Sequence, residues 1–429
     1  MAAPTRVMLY SPHVKESISL MSSEAESPNY RGFLNLGGII IIVANFRLII
    51  ENILKYGFLL KLPSPFEFYN HYSGWPCLST AILLIIPLAI SYYTETKLAQ
   101  KLSSGMVKLL MILNICATLI VPPYMVSLTE AYPLPASALL SISLICAMKL
   151  YSFSDVMSEV RICYKNKEYE KFPSDIKEVV AKYPNICSIR HFAYFITAPT
   201  LCFQFTYPRS PCIRKAWLFK RIAEWILALS FMVILIQQYM MPLIQNTLPI
   251  INKEPINYTA LLERHLKLSL PNLYFWLIMF FSAFQCFTNI VAELTRFGDR
   301  TFYKEWWNSR TLGEYWKLWN IPVHSWLLRH VHFPLINMGC HKNFAMFVTF
   351  FISAVGHEYL ISGACRIVSY WAFLAMMMQI PLIIVMDIFK SFLLKTQIGN
   401  VVFWVSFCII GQPLAVLIYS IQVINRMNP

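Results

Sequence analysis

Charge is what this sequence has least of. Only 14% of its 429 residues are Asp, Glu, Lys or Arg, against about 25% in an ordinary soluble domain. With 57% hydrophobic residues and a mean hydropathy of +0.52, that scarcity excludes a soluble chain and indicates an integral membrane protein. Acidic residues are the scarcer sign, 22 against 36 basic, for a net charge of +14. In a membrane protein this excess suggests a basic surface facing anionic headgroups or phosphorylated ligands, and no nucleic-acid partner is expected. Paired cysteine is missing as well. The eleven cysteines contain no Cys-x-x-Cys, and Cys116, Cys146, Cys286 and Cys408 lie in apolar stretches. They read as small buried hydrophobes, which excludes a disulfide framework or a zinc site. His330 and His332 would diverge on a helix, so no metal site is expected. No histidine is followed by Asp five residues on, and neither a Gly-rich phosphate loop nor a Ser nucleophile elbow is present. Residues 1–30 lack an apolar core, so they are expected to be a disordered cytosolic tail and not a signal peptide. The first spanning helix would then act as an uncleaved anchor.

What is present in quantity is long apolar sequence. Crossing about 30 Å of hydrocarbon takes about 20 residues of helix. Nine stretches qualify: 36–54, 74–93, 105–128, 134–153, 222–243, 271–293, 343–361, 370–389 and 401–424. The expected fold is all-α and polytopic, with Pro122-Pro123 breaking the third helix near its end. Arg47 and Glu51, four apart in the first stretch, should pair. Segment 155–221 carries about a dozen Lys/Arg and 296–342 about seven, both on the N-terminal side. The positive-inside rule therefore places the N-terminus in the cytosol and the C-terminus in the lumen. The sequon at Asn257 falls in the loop expected at 251–270, on the luminal side. The cluster Arg209, Arg214, Lys215 reads as a headgroup-facing surface.

Two segments carry chemistry. His357 and Glu358 lie inside an apolar stretch, where an ionisable side chain is costly and usually functional. The other is an aromatic block just upstream: Phe302, Tyr303, Glu305, Trp306, Trp307 and Asn308, then Trp316, Trp319, Asn320 and His324. Its first part reads as an interfacial helix with a broad apolar face. Asn320 and His324, four apart, would share one helical face, with Pro322 in the first turn. Periodicity alone leaves open whether the block is an anchoring belt or a site. Gln285, Asn289, Gln379 and Gln412 are further polar groups in spanning stretches, each needing a partner.

These residues resemble a known family. Phe302–Asn308 is similar to the FYxDWWN signature of the sterol and diacylglycerol branch of the membrane-bound O-acyltransferases, and His357-Glu358-Tyr359 to its histidine motif. Asn29-Tyr30-Arg31-Gly32, Ala198–Gln204, Tyr207–Pro211, Asn320–His324, Met377–Pro381 and Gly411-Gln412-Pro413 resemble segments of the branch's first diacylglycerol-acylating type. The likeness covers residues 29–424, with a single membrane-bound acyltransferase domain over 31–424. Glu305 stands where the signature has Asp.

The resemblance implies acyl transfer from acyl-CoA to the hydroxyl of diacylglycerol, giving triacylglycerol in the endoplasmic reticulum membrane. It also implies a homodimer, with acyl-CoA as substrate and no other cofactor. Esterification needs a base, an oxyanion donor and exclusion of water. His357 is the expected base and Asn320, whose amide donates without charge, the expected donor. Trp316, Trp319, His324, His332, Lys342 and Gln379 are candidates for the acyl-CoA mouth. Glu358, Met376 and Gln412 are candidates for the acceptor tunnel, though Glu358, about 100° around a helix from His357, could equally bond a neighbouring helix. A sterol or long-chain alcohol acceptor, and more distantly a transporter, are the alternatives.

Overall fold

The computed structural model describes residues 31–60, 75–129, 131–167, 174–251, 255, 257–395 and 398–427. The tail expected at 1–30, with Asn29 and Tyr30, lies outside them. The described residues are overwhelmingly helical; their one β-type pairing is an isolated bridge between Arg209 and Phe297. Helix α1 (Arg31–Tyr56) belongs to a unit of its own and coincides with the first expected stretch. Its Arg47 and Glu51 pair at 2.7 Å, as the spacing predicts.

The second unit begins at Leu60. Helices α2 (Trp75–Leu83) and α3 (Ile85–Thr96) form one span interrupted at Leu84. Pro87 accounts for the interruption, because it has no N–H for the Leu83 carbonyl. Helix α4 (Ser104–Leu128) corrects an expectation: it runs through Pro122 and Pro123 without breaking. The carbonyl that Pro122 leaves without its usual partner is that of Thr118. The Ser143 hydroxyl of α5 (Pro133–Lys165) donates to it at 2.6 Å. Ser143 has one proton, already given, so the Tyr359 hydroxyl 3.1 Å away must donate to Ser143 in turn.

Helix α5 outruns its expected span by a dozen residues at its C-terminal end. There the buried pair Arg161–Glu95 closes at 3.0 Å. Two short helices, α6 (Ser174–Ala181) and α7 (Ile189–Thr197), pack beside it. Lys149, buried in α5, donates to the carbonyls of Phe195, Ile196 and Ala198 at 2.7–2.9 Å. A cation there satisfies the carbonyls at the end of α7 and complements the helix dipole. Phe153, Phe192, Phe195 and Phe203 fill the space between.

Helices α8 (Lys215–Ile234), α9 (Met241–Gln245) and α10 (Leu248–Ile251) make one run with a π turn at Leu235–Met240. Helices α11 (Tyr258–Phe280) and α12 (Thr288–Leu294) make another, with a π turn at Phe281–Phe287. The expected luminal loop 251–270 is therefore mostly helix. The charges that hid α11 from a hydropathy window are accommodated locally: Lys267 pairs with Glu263, and His265 Nε2 donates to the Ile409 carbonyl at 2.6 Å. Asn257, the sequon residue, caps α11 by accepting from the Ala260 N–H at 3.0 Å.

The rest comprises α13 (Leu312–Trp319), α14 (Ile321–Leu327), a π turn at Leu328–His332, α15 (Phe333–Asn337) and α16 (Lys342–Cys365). Then follow α17 (Trp371–Met377), α18 (Gln379–Ile388), α19 (Lys390–Lys395), α20 (Ile398–Val405), a π turn at Ser406–Gly411 and α21 (Gln412–Met427). Among the described residues, eight helical runs are long and apolar enough to cross a bilayer, and they coincide with the second to ninth expected stretches. Gly363 lets α16 lie close against α5, since a Cβ there would come within 2.7 Å of Leu140 Cδ1.

Candidate active site

His357 sits in the middle of α16, fifteen residues after Lys342 and thus about 22 Å along the axis from it. Its Nδ1 lies 2.8 Å from the Ser353 carbonyl oxygen. A carbonyl only accepts, so Nδ1 carries the proton and the neutral ring keeps its lone pair on Nε2. Ala354 and Ala364, on the same side of α16, are 0% and 5% exposed, whereas the imidazole itself keeps accessible surface. The histidine itself is therefore exposed at a position flanked by two buried alanines. Phe350 lies two turns before His357 on the same stripe, and the Trp316 ring meets it edge-on at 6.2 Å. The histidine face of α16 is thereby turned toward α13.

Asn320 is the N-cap of α14. Its Oδ1 accepts from the Val323 N–H at 3.2 Å, and Pro322 occupies the first turn as the spacing predicts. The cap engages only the oxygen, leaving both amide protons available to a ligand. His324 follows one turn on. Partial burial, then the nearby charges of Lys317 and His332, hold its imidazole below the ordinary value near 6.5, so it is neutral at pH 7. Lys317, His324 and His332 thus share one neighbourhood, while Lys342 is exposed at the start of α16.

The segment from Phe302 to Asn308 is not the expected interfacial helix. It is a loop with a 3-10 turn at Trp306–Asn308, because its backbone pairs with distant partners. The Lys304 N–H donates to the Leu318 carbonyl at 2.9 Å, and the Ile321 N–H to the Phe302 carbonyl at 3.0 Å. From α20, Asn400 donates to the carbonyls of Trp307 and Ser309 at 2.9 and 2.8 Å. Trp404 adds a bond to the Trp307 carbonyl at 3.3 Å. Phe302 and Trp306 are each 2% exposed. Tyr303 donates to Gln285 at 2.7 Å, and Glu305 accepts from Asn308 at 3.3 Å. Trp319 stacks on Trp276 at 4.7 Å within the same aromatic core as Trp306, Phe280 and Phe403. These aromatics hold α13 and α14, and hence Asn320, in place.

The acceptor candidates divide. Glu358 is fully engaged: it accepts from Ser362, from the N–H groups of Tyr370 (3.0 Å) and Phe373 (2.9 Å), and from Tyr419 (3.2 Å). It therefore caps the first turn of α17 and ties α16 to α21. Met376 is buried, Gln379 donates to the Ala375 carbonyl of its own helix turn at 3.1 Å, and Gln412 opens α21 after the π turn. A largely apolar groove of about 640 Å³ runs between α4, α16 and α17, lined by Ser127, Val355, Glu358, Tyr359, Arg366 and Phe373 among others. His357 faces another side of α16 and does not line it.

Sequence reasoning missed three residues that position these elements. His330 bonds Asp155 through Nδ1 and Ser152 through Nε2, both at 2.8 Å, and Trp326 donates to the Met148 carbonyl at 2.9 Å. Together they dock α14 and its π turn on α5. Lys149 is the third; as an ionisable residue in an apolar stretch it carried a readable signal.

The arrangement offers a neutral imidazole with a free lone pair deep in a spanning helix, an amide donor on a braced cap, and a basic rim. Comparison with known proteins bears on what such a centre does. The model of the membrane-bound O-acyltransferase family matches residues 66–421. Diacylglycerol O-acyltransferase 1 of Corylus americana is 37% identical over 417 residues, 96% of this chain and 76% of that protein. Diacylglycerol O-acyltransferase 1C of Glycine max is 38% identical over 96% of this chain and 79% of its own length. The Dictyostelium discoideum diacylglycerol O-acyltransferase 1 is 39% identical over 94% of this chain and 63% of its own. With the family's model spanning most of its length and relatives this similar across nearly all of it, the chain belongs to the membrane-bound O-acyltransferase family.

Proposed function

We propose that this chain transfers a fatty acyl group from acyl-CoA to the free hydroxyl of diacylglycerol, making triacylglycerol. The relatives named above are diacylglycerol O-acyltransferases across 94–96% of its length, which supports both the reaction and the acceptor. The observation that carries the mechanism is the bond from His357 Nδ1 to the Ser353 carbonyl. It presents Nε2 as a base.

Nε2 takes the hydroxyl proton as the acceptor oxygen attacks the thioester carbonyl, with no acyl-enzyme. The amide protons of Asn320 stabilise the oxyanion. As the C–S bond breaks, the imidazolium returns its proton to the departing CoA thiolate, and the ester remains. Surrounding protein and lipid keep out the water that would hydrolyse the thioester. Lys317, His324, His332 and Lys342 meet the CoA phosphates at the membrane surface, and Trp316 meets the histidine face of α16 at Phe350. The N-terminus is cytosolic, the membrane is that of the endoplasmic reticulum, and the enzyme works as a homodimer.

Purified protein given labelled oleoyl-CoA and diacylglycerol should form triacylglycerol; preferential labelling of cholesterol would overturn the acceptor. His357→Ala should lower turnover by about 10²–10⁴-fold, the usual worth of a general base, with unchanged thermal unfolding. Parental turnover in that variant would refute the mechanism.

A further inference from the structure

Two arginines stand at the edge of the apolar region opposite Lys342. The runs Ser104–Leu128, Lys342–Cys365 and Ile398–Arg426 finish at that edge, and Trp371–Ile388 starts from it. Arg366 follows the last turn of α16 in the left-handed region, at a φ of 55°, and from it the chain folds back into α17. Arg426 Nη1 donates to the Arg366 carbonyl, which fastens the end of α21 beside it. That bond uses only part of the Arg426 fork. Among the described residues, no hydrogen bond or ion pair engages the Arg366 guanidinium. The neighbouring carboxylate, Glu358, is committed to Ser362, Tyr419 and the N–H groups of Tyr370 and Phe373. Arg366 and Arg426 against Glu358 leave a surplus of one positive charge.

Arg366 also belongs to the wall of the groove of about 640 Å³ between α4, α16 and α17, a size within the about 300–1,000 Å³ of ligand pockets. Most of that wall is apolar. Val368 and Phe373 line it near the arginine, and Val355 lines it eleven residues earlier on α16, about 16 Å deeper along the axis. Ser127 of α4 gives the facing wall only a small side chain. A cation at headgroup level with an apolar slot running inward from it matches a molecule that is anionic at one end and hydrocarbon at the other. Inorganic phosphate would leave the slot bare, and diacylglycerol would leave the cation unpaired. We propose that the groove binds a phospholipid, its phosphate on Arg366 and Arg426 and one acyl chain lying between Ser127, Val355 and Phe373. His357 does not line the groove, so the site is separate from the acyl-transfer centre and does not depend on its chemistry.

The test uses the full chain in detergent micelles with a limiting amount of phosphatidylcholine carrying a photoreactive acyl chain. Labelling of the groove is read by mass spectrometry against labelling of the exposed face of α8 at Phe219 and Leu227. Arg366→Gln should lower that ratio by about tenfold or more, the worth of a hydrogen bond to a charged group, whereas Arg366→Lys, which keeps the charge, should retain most of it. Ser127→Phe, which fills the slot and touches no charge, should also lower the ratio. A photoreactive diacylglycerol with the same chains should label the groove weakly, and millimolar inorganic phosphate should not compete. Undiminished labelling in Arg366→Gln overturns the headgroup contact, and undiminished labelling in Ser127→Phe overturns the chain path. Labelling by diacylglycerol as strong as by phosphatidylcholine, or displacement by inorganic phosphate, overturns the phospholipid as occupant.

Discussion

At the scale of the residue, Asn320 shows how one side chain divides its two ends. Its oxygen closes a helix end, and its nitrogen is left for the donor role proposed above. Aspartate would keep the first and lose the second. Asn320→Asp should therefore retain the stability of α14, whereas Asn320→Ala should cost about 1 kcal/mol for the lost cap. Both should lose turnover alike. Unfolding midpoints and kcat measured side by side separate the two roles, and a fully active Asn320→Asp would dismiss the donor. His357 stood out in the sequence as an ionisable group in an apolar stretch, and Asn320 through the resemblance of its segment to the family's. The use of Glu358 was less legible. A carboxylate beside the histidine suggests chemistry, yet its partners are backbone groups of α17 and the phenol of Tyr419, more than ten residues on.

Among the elements, α4 and α5 illustrate what propensity cannot foresee. Proline in a helix interior normally breaks or kinks it at a cost of about 3 kcal/mol or more. Here a serine on the neighbouring helix takes up the freed Thr118 carbonyl. Ser143→Ala should destabilise the fold by about 1–3 kcal/mol, the penalty for a buried acceptor left unpaired. Adding Pro122→Ala restores the missing N–H and should recover most of that loss. A double-mutant cycle on thermal unfolding reads the coupling, and purely additive effects would show that the two residues do not compensate one another. The same reasoning explains why α11 was misplaced. Glu263, Arg264, His265 and Lys267 depress the hydropathy of its first turns, and the Lys267–Glu263 pair together with the long-range bond from His265 to Ile409 shows how a helix accommodates them. The π turns had no sequence signal that periodicity reads, because a one-residue insertion leaves composition unchanged.

For the whole molecule, Glu358 is a junction. It joins α16, which carries the histidine, to α17 and α21. Glu358→Ala should leave two backbone N–H groups without acceptors, costing about 2 kcal/mol or more, and should lower turnover through displacement of α17. Glu358→Gln should recover part of both; equal loss in the two variants would mean that the charge matters more than the capping bonds. The eight spanning runs were legible because each is a long apolar stretch. The order in which they pack was not, since that depends on contacts such as Gly363 against Leu140.

Gly399 has the widest reach of these close approaches. A Cβ at that position would fall on the Arg310 carbonyl, so Gly399→Ala must push α20 away from the signature loop. Its turnover should fall at least tenfold while the protein still inserts in membranes, and unaltered kinetics would show that the loop tolerates the shift. The loop is braced by Asn400 and Trp404, which a ribosome reaches about ninety residues after the tryptophans they hold. His357 is thus threaded into the bilayer well before the signature loop is locked. A nascent chain halted before α20 would carry His357 and Asn320 without the brace on the loop beside them, so the candidate site is completed only when the run of α20 and α21 is made.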